Sequence, residues 1–173
     1  MELDIFFSPI NEIAIEKESI GENISSYLKD KPFPKWENAD VVLFGVQESR
    51  NSHSNKGCSK GQNKIRESFY KLYSNLEFNV ADLGDIQKGS SVEDTYIAVS
   101  EVIKDLVSNA KFVIILGGSQ DITYANYLGY EKLEQTVNVV SIDDRLDIST
   151  DEDLGFSSLN YLNKIVIHQP NYL

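Results

Sequence analysis

Three aspartates stand within five residues in Ser141-Ile142-Asp143-Asp144-Arg145-Leu146-Asp147. Carboxylates this close repel one another unless a positive charge compensates. Two compensations offer themselves: a hard divalent cation held by the oxygens, or Arg145 as an internal counter-ion in a solvated loop. Upstream, Leu116-Gly117-Gly118-Ser119-Gln120-Asp121 carries a glycine pair. Paired glycines let a backbone bend sharply and approach a ligand closely. A helix opening at Ser119 would add unpaired N–H groups, so a small nucleotide- or phosphate-binding module is one reading of this segment. Cys58 is the single cysteine, and a nucleophilic role needs a base from His53 or His168, the only histidines. Neither histidine has the spacing of a zinc site. Gly57-Cys58-Ser59-Lys60-Gly61 runs into Gln62 and Asn63, where a phosphate-cradling loop needs Lys and Ser or Thr, and no GxGxxG follows an apolar run. That stretch reads as a loop feeding a helix.

The elements that must position these residues follow from the hydrophobic pattern. Short apolar runs at 40–46, 78–86, 112–118, 136–144 and 164–169 read as strands. Between them, 61–76, 92–109, 119–133 and 157–164 read as helices. In the first helix the apolar stripe is Ile65, Phe69, Leu72, Tyr73 and Leu76; in the second, Ser91 and Asp94 resemble a capping pair. Strand–helix alternation with strands apolar throughout predicts a three-layer α/β/α domain with a mainly parallel sheet. Ligands of such sheets sit beyond the carboxyl ends of the strands, which here means 45–50, 82–85, 117–121 and 143–147. Residues 1–36 differ from the rest. They hold three of the four prolines and read as an N-terminal arm with one short helix near 23–28, pinned by Phe6, Phe7 and Trp36 onto a domain spanning 37–173.

Composition bounds the function. The 173 residues carry 27 acidic and 16 basic side chains, a formal charge of −11. That balance argues against a nucleic-acid partner. No apolar run approaches the ~20 residues that cross a bilayer, so no membrane partner is expected. One cysteine excludes a disulfide scaffold, and an acidic N-terminus lacks the basic start of a secretory leader. The expected location is cytoplasmic.

In order and spacing the pieces resemble the ureohydrolase superfamily of arginase, agmatinase and formimidoylglutamase. ILGGSQD at 115–121 is similar to its LGGDHS segment, and SIDDRLD at 141–147 to its DAHxD segment. ADLGDI at 81–86 resembles its Asp–Gly–Asp turn, and KGCSKGQNKIRESF at 56–69 its glycine loop and helix start. GGSQDITYANY resembles most closely a divergent formimidoylglutamase-like branch. The resemblance implies an arginase-like fold, two manganese ions, and metal-dependent hydrolysis of a linear amidine (guanidino or formimidoyl) C–N bond in a small substrate. It implies Asp143 and Asp147 as surviving metal carboxylates, with Gly117, Gly118, Asp121 and Asp144 lining the site. Gln120 and Arg145 stand at positions where the resemblance implies histidine ligands. An amide is a weak ligand and a guanidinium is none. Arg145 is therefore expected to take a metal's place, bonding Asp143 and Asp147. The expectation is an inactive relative that does not bind manganese, serving as a binding or assembly module. Because the chain stops soon after its fifth expected strand, it reads as the N-terminal part of a longer protein or as a shortened relative, with an open sheet edge able to self-associate.

Overall fold

The computed structural model describes residues 2–73, 78–151 and 153–168. Five strands form one sheet: β1 (Phe7–Ser8), β2 (Ile24–Ser26), β3 (Val41–Val46), β4 (Val80–Ile86) and β5 (Phe112–Leu116). β3 lies between β4 and β5 and runs parallel to both. β2 runs parallel to β4, and β1 antiparallel to it. The expected mainly parallel α/β architecture is present.

Among the described residues four α-helices accompany the sheet: α1 (Gly61–Phe69), α2 (Val92–Ser108), α3 (Ile122–Glu131) and α4 (Tyr161–His168). α2 opens with the expected capping box, Ser91 Oγ accepting from Asp94 N–H while the Asp94 carboxylate accepts from Ser91 N–H. Alternation along β3 assigns the two faces. Val42, Phe44 and Val46 join Val99, Val102, Ile103 and Leu106 of α2 in the main core. Gly45 turns the other way, toward Gln62 of α1. α1 and α2 thus cover opposite faces.

Several expectations change. The arm does not form a helix at 23–28; β1 and β2 both pair with β4, making the arm part of the sheet, and Phe7 and Trp36 are buried. Pairing with an open strand satisfies more backbone groups than one isolated helical turn could. Residues 136–144 form no strand. Val140 and Ile142 are exposed, and no described strand lies beside them; alternation alone cannot make a strand without a neighbour to bond. The helix expected at 157–164 begins at Tyr161 and runs on through 164–168, in place of the expected strand, because Tyr161, Leu162 and Ile165 pack together on Tyr127 of α3. The end of that expected strand lies outside the described residues. No described helix is long and apolar enough to cross a membrane.

α1 inverts its expected face. Ile65, Leu72 and Tyr73 are exposed, while the buried positions are Gln62, Arg66 and, just past the helix, Tyr70. The buried stripe has helical spacing but is polar, so the search for an apolar face selects the wrong side. Leu76 lies outside the described residues.

Candidate functional site

The reason for a polar helix face lies in β4. Leu43 faces Asp82 and Gly45 faces Asp85, so β4 carries one residue more than β3 across this step. Gly84 sits there with φ +87°, a conformation glycine adopts without cost. The bulge breaks the two-residue alternation and turns both Asp82 and Asp85 toward α1.

Arg66, fully buried, meets both carboxylates. Its Nε and Nη2 donate to Asp82 at 2.7 and 3.1 Å, and its Nη1 to Asp85 at 2.7 Å. Nη2 also donates to the Gly84 carbonyl at 2.9 Å. Tyr70 OH and the Gly84 N–H complete the shell of Asp82, at 2.8 and 2.9 Å. Gln47 Nε2 donates to Asp85 at 2.6 Å. Burial pushes the Asp82 carboxyl up, against the pull of Arg66 and the other donors. A guanidinium suits this place because its planar fork reaches two carboxylates at once.

A second buried network closes the end of β3. Glu48 is fully buried and accepts from the N–H groups of Ser49 and Arg50 at 2.9 and 2.8 Å. The Arg50 Nη2 reaches its Oε2 at 2.5 Å, and the same guanidinium donates to the carbonyls of Gly89, Ser90 and Ser91. Glu48 and Arg50 thereby tie the end of β3 to the start of α2. Burial pushes the Glu48 carboxyl up, but the Arg50 hydrogen bonds and charge outweigh it and hold the group at about 2, against an ordinary 4.5. A depressed carboxyl contributes stability that is present above its unfolded value and lost as pH falls through its folded one. The urea midpoints of the parent and Glu48→Gln should therefore differ most above pH 4.5 and converge toward pH 2. A gap that stays constant over that window would contradict this role.

The third network lies under α3. Asn51 Nδ2 donates to Tyr96 OH at 3.0 Å, and Tyr96 OH donates to Asp121 Oδ2. Burial and the Asp121 carboxylate raise the Tyr96 phenol, keeping it protonated as the donor. Asp121 is fully buried, and its other oxygen accepts no hydrogen bond among the described residues. Tyr96→Phe leaves that carboxylate without its phenol donor, and a cost of about 1–3 kcal/mol is expected in denaturant unfolding. An unchanged midpoint would show that the bond contributes nothing.

Above these networks an open cavity of about 240 Å³ faces the carboxyl ends of the strands. Gly118, Ser119, Gln120, Asp143, Asp144, Arg145 and Asp147 line it, joined by His53 and Cys58 from the loop after β3. The structure thus brings together most of the residues selected from the sequence. Gly117 and Asp121 are the exceptions, Asp121 being turned inward to Tyr96. Gly117 has open space where a side chain would stand, while a Cβ on Gly118 would lie 1.8 Å from the Glu48 carbonyl oxygen. The glycine at 118 lets the β5–α3 loop pack on β3, and no ligand is needed to explain it. Ser119 does not cap α3; its N–H donates to Glu48 O at 2.9 Å. The N–H groups of Ile122, Thr123 and Tyr124 donate to the carbonyls of Ser119, Gln120 and Asp121. With those donors used and carboxylates alongside, the segment is poorly suited to a phosphate.

Within the cavity the Gln120 amide donates to Asp143 Oδ2. Its NH₂ must face that atom, because two oxygens would repel. Asp143 Oδ1 accepts from the Asp144 N–H at 2.7 Å. Arg145 does not take the expected place. Its Nε meets Asp144 at 3.1 Å on the exposed surface, and neither Asp143 nor Asp147 is its hydrogen-bond partner. Neighbouring residues on an irregular loop reach one another before either reaches across the cavity. Burial, and then the charge of Asp143, raise the Asp147 carboxyl. Arg145→Ala should leave the melting temperature unchanged, since an exposed pair gains little.

Comparison with known proteins places this architecture. The sequence profile of the arginase family matches residues 39–168. The chain belongs to the arginase family. Among curated relatives, the formimidoylglutamase of Macrococcus caseolyticus is 30% identical over 131 residues, covering 72% of this chain and 42% of the relative. That of Streptococcus gordonii is 29% identical over 140 residues, covering 76% and 43%. This family member therefore spans less than half the length of these two relatives. The structure of formimidoylglutamase from Bacillus subtilis superposes with a TM-score of 0.74 at 19% identity, covering 95% of this chain and 54% of that one. The Trypanosoma cruzi formiminoglutamase solved with Mn²⁺ gives 0.68 at 21% identity, covering 79% and 53%. These likenesses are ones of fold.

The residues present do not fit a two-manganese centre. Of the four positions that the resemblance assigns to ligands, one carries an amide whose nitrogen faces a carboxylate. Another carries a guanidinium turned to solvent beside Asp144. Among the described residues no group of three or more His, Cys, Asp or Glu side chains is placed to hold a metal ion.

Proposed function

We propose that this chain is a non-catalytic member of the arginase family, of the formimidoylglutamase-like branch, that retains the fold and serves as a binding or assembly component. The family reaction is metal-dependent hydrolysis of a linear amidine C–N bond, guanidino or formimidoyl. The observation that carries the reading is the hydrogen bond from Gln120 to Asp143. It puts an N–H donor against the carboxylate oxygen that a cation would need, and it joins two ligand positions without a metal. We further read the chain as matching the N-terminal portion of its longer relatives, with Asp143 and Asp147 the remnants of the metal set.

Hydrolysis of N-formimidoylglutamate, arginine and agmatine, assayed with excess Mn²⁺, tests this. No product above the protein-free rate is expected. Arg145→His alone is expected to stay inactive as well, since Gln120 still contributes an amide. Multiple turnovers by the parent on any of the three would overturn the reading.

A further inference from the structure

The amino ends of β2, β3 and β4 border a second open cavity, of about 490 Å³. It lies at the opposite end of these strands from Gln120 and Asp143, and all its lining residues fall within 23–81. Its volume is within the range of small-molecule sites, about 300–1,000 Å³. Phe33, Val80 and Ala81 give it an apolar side. Asn23, Ser25, Asn38 and Asn79 add neutral hydrogen-bonding side chains, and Lys35 is the charged residue that lines it. Among the described residues no carboxylate lines it, in a chain with 27 acidic side chains. Glu22, Glu37 and Asp40 neighbour the lining residues in sequence without joining them. Asp40 is engaged elsewhere, its Oδ2 accepting from the Asn79 N–H at 2.9 Å.

The walls are held in place by the fold itself. The Phe33 ring meets Tyr27 edge-on at 5.0 Å and Phe7 at 5.8 Å. Trp36 is buried, and Lys111 Nζ donates to the carbonyls of Glu37 and Ala39 at 2.7 and 2.8 Å, fixing the segment that carries Lys35 and Asn38. The Asn79 carbonyl accepts from the N–H groups of Asp40 and Val41 at 3.0 and 3.1 Å. Ala81 is paired with Ser25 on one side and Val42 on the other. The side chains of Asn23, Ser25, Lys35, Asn38 and Asn79, by contrast, make no hydrogen bond or ion pair among the described residues. A fixed backbone with uncommitted polar side chains lowers the cost of ordering a ligand.

We propose that this cavity binds a small monocarboxylate with a planar apolar body. The Lys35 ammonium pairs with the carboxylate, and the asparagine amides and the Ser25 hydroxyl donate to its remaining lone pairs. The body of the ligand covers Phe33, Val80 and Ala81. Neutral amides and a hydroxyl do not select the sign of a charge, so Lys35 sets it. One lysine suits a monoanion, and a phosphate, lacking an apolar body, would leave the apolar side uncovered. A chain of charge −11 repels anions over most of its surface. A cavity lined by a lysine and no carboxylate is where that repulsion is relieved.

Benzoate is the probe, titrated at constant ionic strength into the ¹⁵N-labelled full chain and followed by two-dimensional NMR. Saturable shifts are expected at millimolar benzoate for the Ser25, Lys35, Asn38 and Asn79 backbone amides and the asparagine side-chain amides, with Gly118 and Asp144 unmoved. Benzyl alcohol, the same ring without the charge, should bind about tenfold more weakly. Lys35→Met should keep the fold, since Lys35 is exposed and unpaired, and should bring the two ligands to equal affinity. Absence of saturable shifts at these amides in the parent would overturn the proposal, whatever the variant does. So would equal binding of benzoate and benzyl alcohol to the parent, or inorganic phosphate binding as tightly as benzoate. A folded Lys35→Met that still prefers benzoate would do the same.

Discussion

Replacing Arg66 by alanine is expected to cost about 3–5 kcal/mol of folding stability, enough to threaten a domain of ordinary marginal stability. The guanidinium is fully buried and contacts Asp82, Asp85 and the Gly84 carbonyl. Removing it leaves two buried carboxylates a few ångströms apart, with Tyr70, Gln47 and one backbone N–H as their remaining donors. Each carboxylate would then have to protonate or draw in water, and α1 would lose its anchor on the sheet. Arg66→Lys should recover only part of the loss, because a single ammonium cannot span both carboxylates as the planar fork does. Denaturant unfolding of the parent and both variants measures this. Arg66→Ala within 1 kcal/mol of the parent would show that the triad is dispensable, as an exposed pair would be.

Gly118→Ala is the second large effect. The added methyl would lie 1.8 Å from Glu48 O, 2.8 Å from its carbonyl carbon and 3.0 Å from its nitrogen. All three are backbone atoms at the end of a central strand, so no side chain can rotate away. The β5–α3 loop must lift, breaking the bond from Ser119 N–H to Glu48 O and disturbing the Glu48–Arg50 clamp beneath. Overpacking of this kind costs typically 1–3 kcal/mol, and backbone contacts on both sides put the expectation at the upper end. Gly117→Ala is the internal control, since a Cβ there meets nothing within 4 Å. Equal stabilities for the two alanine variants would refute this packing account.

Alternation of apolar runs and helical periods was enough to place β3, β4, β5 and α2, because those elements bury apolar side chains on the faces the pattern marks. It failed where burial is polar. Arg66 and Gln62 read as the solvent side of α1, and nothing local reveals that Arg66 meets a bulged strand sixteen or more residues away or that Gln62 donates to the carbonyls of Val46 and Gly117. The bulge left one trace, the Asp-x-Gly-Asp spacing of Asp82, Gly84 and Asp85. An arginine at helical spacing from Gln62 and Tyr70 could have been matched to it. Residues 136–144 failed for another reason. Their alternation records a preference for pairing, and the described residues supply no pairing strand. The site lay between these cases. Gln120, Asp143, Asp144, Arg145 and Asp147 do share one cavity, but the partner of Arg145 was misjudged, because local geometry on an exposed loop favoured Asp144 over Asp143 and Asp147.

We propose that the fold persists while its metal-binding chemistry does not. Metal analysis tests it most directly: the purified chain is loaded with excess Mn²⁺, dialysed against metal-free buffer, and assayed for manganese per chain. Far less than one ion should be retained per chain, with a melting temperature that Mn²⁺ leaves unmoved. Two ions retained per chain, with the melting temperature raised by their binding, would contradict it.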